Sequence, residues 1–262
     1  MDLGISGRRA IINGGSSGMG KGTALALARE GAEVFVVARG EERLLRACQD
    51  IRERSSGIVH PVVADFSTVV GRETILSRCP SPDILVTTSS PPEMTADYES
   101  VTAEDWNASL EVTLVGVVEF IRAVLPGMVA RRWGRVVNIA TGAAKFPHEL
   151  RILSGPPRAA LVNYSVAVAR RVAKHNVTLN NILPGMHFTD PINERLAKAA
   201  AANGTTVEDE VAVYLDRFRI PAGTFGDPED TGALAAMLCS AQARFTTGQS
   251  LCVDGGLAHT TF

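Results

Sequence analysis

Short runs of β-branched and aliphatic residues alternate along the chain with longer stretches in which apolar positions recur every three or four residues. The runs have the composition of strands and the stretches have the period of amphipathic helices. Strands are predicted over residues 10–12, 34–37, 59–63, 84–86, 136–139, 179–183 and 250–253. Most are apolar at successive positions, as strands of a parallel sheet covered on both faces must be. Helices are predicted over 19–30, 41–54, 102–131, 156–173 and 228–238. This order implies crossover units and an α/β class: a Rossmann-like, doubly wound sheet of about seven parallel strands with helices on both faces.

One interval breaks the rhythm. Residues 186–225 carry no strand pattern, only an Ala-rich segment and an amphipathic stretch on either side of Asn203-Gly204. They are expected to form a helical lid before the last strand, over the carboxyl ends where such sheets bind ligands. With 262 residues and no internal repeat or linker, the chain reads as a single dinucleotide-binding domain over 1–262.

Composition excludes several function classes. The net charge is −2, from 26 basic and 28 acidic residues with no basic stripe, so nucleic acid and membrane surfaces are not expected partners. No stretch reaches the length of uncharged apolar residues that a membrane span requires, and no secretory h-region is present near Met1. Cys48, Cys79, Cys239 and Cys252 form neither a CxxC pair nor a zinc-like cluster, which suits free thiols in the cytoplasm. No metal site is expected.

The chemistry begins after the first strand. Gly14-Gly15-Ser16-Ser17-Gly18-Met19-Gly20 is a glycine-rich turn leading into a helix, a place where backbone N–H groups and the helix dipole can hold a pyrophosphate. Alone, such a turn is also explained by tight strand-to-helix packing. Further motifs follow in order: Asp65 after the third strand, Pro184-Gly185 after the sixth, Gly226 to Asp230 opening a helix, and Thr247-Gly248-Gln249 with Asp254-Gly255-Gly256 around the last strand. Over essentially its whole length the sequence resembles the short-chain dehydrogenase/reductase family, particularly its 3-oxoacyl-(acyl carrier protein) reductase-like members.

That resemblance implies a nicotinamide cofactor held by Gly14, Ser16, Ser17, Gly18, Met19 and Gly20. It also implies Asp65 and Phe66 near the adenine, Ser89 in the groove, and Pro184 and Thr189 near the nicotinamide. Arg39, directly after the second strand, favours NADP(H) over NAD(H) by pairing with a 2′-phosphate, unless it is an ordinary solvated arginine. Thr87-Thr88-Ser89-Ser90 and Pro91-Pro92 stand where the family has Asn-Asn-Ala-Gly, a change that narrows the groove. A homo-oligomer, dimer or tetramer, is implied, as is a small-molecule substrate.

The family reduces carbonyls with a Tyr-x-x-x-Lys pair on one helix, a Ser thirteen residues earlier and an Asn on the preceding long helix. Aligned on Ala159-Ala160-Leu161, these positions are Ser154, Arg158, Thr141 and Thr113. Thr141 can donate to a substrate oxygen or simply pack. Arg158 keeps the charge but cannot relay a proton, and reads as a cofactor clamp. Ser154 is a weaker acid than a phenol, and with Gly155-Pro156-Pro157 it also reads as a helix N-cap. The candidate catalytic residues are Thr141, Ser154 and Arg158. Lys145, His148, His187 and Tyr98 are further candidates for a replacement acid, each better explained as a solvated loop side chain. Tyr164, His60, His175 and His259 read as packing or surface residues. The sequence therefore implies an atypical NADP-dependent oxidoreductase of a carbonyl or hydroxy compound. The alternatives are a non-redox lyase, dehydratase or isomerase on the same scaffold, or a catalytically silent cofactor-binding subunit.

Overall fold

The computed structural model describes residues 2–90, 95 and 97–258; Pro91, Pro92 and His259 lie outside them. Strands β1 (Arg9–Asn13), β2 (Glu33–Ala38), β3 (Val59–Val63), β4 (Ile84–Thr88), β5 (Gly134–Ile139), β6 (Val177–Pro184) and β7 (Ser250–Val253) form one parallel sheet in the order β3-β2-β1-β4-β5-β6-β7. All seven strands coincide with the apolar runs. Successive residues face opposite sides, so Ile12, Val34 and Val36 enter one core layer while Ile11, Phe35 and Val37 enter the other.

The first layer is closed by α1 (Gly18–Arg29), α2 (Glu41–Glu53) and α9 (Pro228–Leu238), through residues such as Leu25, Leu44 and Leu238. The second is closed by α3 (Val69–Arg78), α5 (Gly116–Arg131) and α6 (Gly155–Val172), through Ile75, Phe120 and Leu161. Each large aliphatic or aromatic side chain so buried contributes about 1.5–3 kcal/mol.

Two details depart from the expected pattern. Helix α3 had no predicted counterpart, because Val69 and Val70 are exposed and the buried face is reduced to Gly71 and Ile75; the Thr68 hydroxyl, accepting from Gly71 N at 3.0 Å, starts it. The long helix expected over 102–131 is α4 (Ala103–Leu110) and α5 joined by a π-helical turn, Glu111–Val115. The run Ala103–Arg131 is long and apolar enough to cross a membrane by length and composition. Here its inner face, with Val117, Phe120, Ile121 and Val124, packs into the second core layer.

The 186–225 interval folds into α7 (Asp190–Asn203) and α8 (Val207–Phe218). Gly204, at φ 67°, ends α7 in the left-handed region, and a reciprocal Thr206–Asp209 capping box starts α8. Leu196, Ile220 and Phe225 form a third apolar cluster with Met186, Tyr214, Phe218 and Leu257.

A buried polar network crosses the sheet centre. Thr87 Oγ1 donates to Asn138 Oδ1 (2.7 Å), and Asn138 Nδ2 donates to Ser165 Oγ (2.9 Å) and Asn181 Oδ1 (3.1 Å). Every group has a partner, so the network fixes the relative positions of β4, β5, β6 and α6 instead of weakening the core.

Candidate functional site

The strand order reverses between β1 and β4, and open α/β sheets bind ligands at the carboxyl ends beside such a switch. The loop after β1 lies against the end of β4. A Cβ on Gly14 would sit 2.6 Å from Thr88 O, and one on Gly20 would sit 2.3 Å from Gly14 O, so both positions must be glycine. Gly14 and Gly18 also have positive φ (70° and 50°). Ser17 is the N-cap of α1, its hydroxyl makes no cap bond, and the first turn has no acidic residue, which leaves the positive helix end available to an anion.

Two cations flank this loop. Arg39 is exposed and pairs with Asp65 across 3.7 Å, while Asp65 also accepts from Ser67 N and Oγ at 3.0 and 2.6 Å. Phe66 is buried beside it and its carbonyl accepts from Arg72. Arg43, on α2, donates to Ser16 Oγ at 3.3 Å. Sequence reasoning missed Arg43; its signal is the helical spacing that turns the third residue of α2 back toward the loop. A glycine cradle, an open helix end and these cations fit a dinucleotide carrying an extra phosphate.

Past the loop lies a small cavity of about 110 Å³. Met19 and Ser89 line it on one side, Thr141, Ser154 and Arg158 on the next, and Pro184 and Thr189 on the third, so seven sequence-derived candidates converge on one space. Ser154 and Arg158 are 4% and 3% exposed. Arg158 Nη1 donates to Ser154 Oγ at 2.6 Å, and Nη2 donates to Ser89 Oγ and O at 3.1 and 3.3 Å. All these acceptors are neutral, and among the described residues no carboxylate pairs with Arg158. Burial, reinforced by the nearby Arg151 charge, pushes its guanidinium down to about 10.

The N-cap reading of Ser154 is corrected in its chemistry. Ser154 occupies the N-cap position of α6, but its hydroxyl makes no cap bond and instead accepts from Arg158. The backbone of this turn is held from elsewhere: Arg151 O accepts from Ser154 N (3.0 Å) and Gly155 N (2.8 Å). Ser89, expected to face a cofactor, is likewise held by Arg158.

Thr141 is partly exposed and its Oγ1 accepts from Ala143 N at 3.3 Å, and among the described residues no acceptor takes its hydroxyl proton. Thr113 lies in the π turn, is buried, and donates to Ser109 O at 2.6 Å. Ser109 in turn donates to Leu153 O. Thr113 thus braces the residue before Ser154 through Ser109 and does not line the cavity.

His187 lines the small cavity but has both ring nitrogens occupied, Nδ1 by Gly185 O at 3.3 Å and Nε2 by Thr231 Oγ1 at 2.9 Å. A carbonyl can only accept, so Nδ1 carries the proton and Nε2 accepts from Thr231. Burial holds the ring below its ordinary pKa, in the neutral form. This arrangement makes His187 a bracing residue.

A larger cavity of about 340 Å³ adjoins the first, sharing Thr141, Arg151, Pro184, Gly185 and Met186 with it. Phe146, His148, Tyr214 and Phe218 supply its walls, with the His148 and Phe218 rings 5.4 Å apart. The other replacement acids are elsewhere: Lys145 is exposed, and exposed Tyr98 donates to Glu99 at 3.0 Å. Tyr164 packs into the second core layer, and His60 pairs with Glu33 at 2.8 Å. His175 lies in a short 3₁₀ turn before β6.

Comparison with known proteins agrees with this architecture. Residues 14–258 match the family model described as enoyl-(acyl carrier protein) reductase. The 3-oxoacyl-(acyl-carrier-protein) reductase of Vibrio harveyi is 28% identical over 257 residues, covering 97% of this chain and 99% of the relative. The structure of L-sorbose reductase from Gluconobacter frateurii, complexed with NADPH and L-sorbose, superposes with a TM-score of 0.92 at 30% identity, covering 99% of this chain and all of that one. An actinorhodin polyketide ketoreductase variant with NADPH superposes at 0.86 with 26% identity, covering 97% and 98%. With the fold, the glycine cradle and these likenesses together, the chain belongs to the short-chain dehydrogenase/reductase family, and its general class is oxidoreductase.

Proposed function

We propose that the chain is an NADP(H)-dependent oxidoreductase acting on a carbonyl or hydroxy group of a small molecule, with Ser154 as proton donor and Arg158 as the group that makes Ser154 a stronger acid. The supporting observation is the 2.6 Å hydrogen bond from Arg158 to Ser154 Oγ between two buried side chains that line the small cavity. NADPH, when bound, supplies the hydride and leaves as NADP⁺. Gly14 to Gly20 hold its phosphates, and Arg39 and Arg43 take the phosphate that distinguishes it from NADH. The neighbours that carry NADPH in their structures support that preference.

Ser154 Oγ gives its proton to the oxygen of the carbonyl that accepts the hydride, and regains one from water entering through the larger cavity. Arg158 stays protonated throughout and stabilises the negative charge that develops on Oγ, because a charged donor bonds an oxyanion about twice as strongly as a neutral one. Thr141, through its hydroxyl, orients the same carbonyl oxygen. Three of the four positions that align with the family's tetrad thus divide the labour, Ser154 as acid, Arg158 as fixed cation and Thr141 as orienting hydroxyl.

The test is stopped-flow oxidation of NADPH by purified protein against a panel of small ketones and keto acids. Consumption of NADPH together with the alcohol product supports the proposal. Turnover of substrate with no change in nicotinamide absorbance would point instead to a lyase, dehydratase or isomerase. The same reading places subunit contacts on the outer faces of α5 and α6, and sedimentation as a dimer or tetramer is the expected result.

A further inference from the structure

Arg151 stands apart from the other arginines of the site. It lines both cavities, at their junction, and is half-buried. Its backbone holds the start of α6, but among the described residues no hydrogen bond or ion pair ends on its guanidinium, which has five donors to satisfy. Burial disfavours its charged form, Arg195 adds a like charge and Tyr214 offsets part of this, while Arg151 itself acts as a like charge on Arg158. Asp254 is the carboxylate at the larger cavity, and it is held by Gly256 N (3.0 Å) and Ala258 N (2.9 Å). Arg217, at the far wall, lies 5.6 Å from the Phe218 ring and has no ion-pair partner among the described residues either.

A half-buried guanidinium beside like charge is stabilised when an anion completes it. Clustered positive charge in a concave, partly apolar space also concentrates anions there. The fork of Arg151 matches the planar pair of oxygens of a carboxylate, or two oxygens of a phosphate.

We infer that Arg151 is the substrate anchor: the compound that reacts beside Thr141 and Ser154 carries an oxyanion, carboxylate or phosphate, close to its reacting carbon, and an apolar remainder in the larger cavity. The position of Arg151 carries the first half of this statement. Thr141, Arg151 and Met186 line both cavities, so the reacting carbon beside Thr141 and an anion on Arg151 belong to one continuous space. The second half follows from Phe146, Tyr214 and Phe218, whose rings line the larger cavity, with Tyr214 and Phe218 stacked at 5.8 Å. The inference rests on the oxidoreductase reading above and specifies its substrate.

The experiment uses matched probes on the full chain. NADPH binding is measured first by nicotinamide fluorescence, for the wild type, Arg151→Met and Arg151→Lys; this step tests the oxidoreductase reading by itself. Turnover is then compared for phenylpyruvate and its neutral methyl ester, with dihydroxyacetone phosphate as the phosphate arm. A charged, paired hydrogen bond of about 1.5–3 kcal/mol predicts that the wild type prefers an anionic probe over the ester by about tenfold to a hundredfold in kcat/KM. Arg151→Met should erase that preference while still binding NADPH and turning over the ester, and Arg151→Lys should restore part of it. The anionic probe that is preferred identifies carboxylate or phosphate as the source. Equal use of acid and ester by the wild type would overturn the inference while leaving the oxidoreductase reading intact, and so would a preference that survives Arg151→Met. If NADPH binds but no probe reacts, calorimetric titration of phenylpyruvate into the NADP⁺-loaded protein decides. Binding lost in Arg151→Met supports the anchor, and binding unchanged rejects it.

Discussion

Ser154, the N-cap of α6, and Arg158 are one helical turn apart, and Arg158 Nη1 donates to Ser154 Oγ at 2.6 Å with both side chains almost fully withdrawn from solvent. Residues at i and i+4 share a helix face, so a cation and a hydroxyl placed at this spacing are brought together by the helix itself. If they act as one unit, their mutational effects will not add. Arg158→Met and Ser154→Ala should each lower kcat by about a hundredfold, within the range for loss of a positioned general acid, and the double variant should be no slower than the worse single one. Two independent losses that multiply would separate the residues functionally.

The glycine cradle gives a steric prediction. A methyl group at Gly20 would lie 2.3 Å from the Gly14 carbonyl, which is backbone and cannot rotate away. Gly20→Ala should therefore displace the loop, costing about 1–3 kcal/mol of stability. It should also weaken NADPH binding at least severalfold. Thermal unfolding and fluorescence titration on the same sample check both.

Arg39 and Arg43 predict cofactor choice. Arg39→Ala and Arg43→Ala should each weaken NADPH binding by about tenfold, the low end for a charged hydrogen bond because Arg39 is exposed. NADH binding should not change. Equal losses for both cofactors would assign the two arginines to loop structure.

His187 and Thr231 predict a pH dependence. Burial lowers the pKa of the His187 ring from its ordinary 6.5, so the unfolded chain takes up this proton more readily than the folded one. The stability contributed by the neutral ring is complete above that ordinary value and is lost as pH falls from there through the folded pKa. Thr231→Val removes the partner of Nε2 and should cost about 1–3 kcal/mol at neutral pH. Melting curves recorded from neutral to mildly acidic pH will show whether the variant loses part of the acid-dependent slope.

The sheet was legible in the sequence because parallel strands buried on both faces leave uninterrupted apolar runs, as Val34 to Val37 shows. Helix α3 was not, because it buries little besides Ile75 and starts with two exposed valines. The glycine cradle could be read from Gly14, Gly18 and Gly20, whose spacing reflects backbone approach. The bonds from Arg158 to Ser154 and Ser89 could not, because a hydroxyl beside a proline-started helix looks like a cap until the partner that binds it is located. Arg43 and Arg151 were invisible for the same reason: an arginine in sequence carries no sign of whether its fork faces water, a phosphate loop or an unoccupied acceptor site.

The central claim is that Ser154 supplies the proton. It is tested most directly by single-turnover NADPH oxidation with Ser154→Ala, using whichever carbonyl compound the wild type reduces fastest and with cofactor affinity measured in parallel. The account predicts a rate of chemistry lower by about a hundredfold with NADPH affinity unchanged. A Ser154→Ala protein that reduces the same compound at the wild-type rate would contradict it.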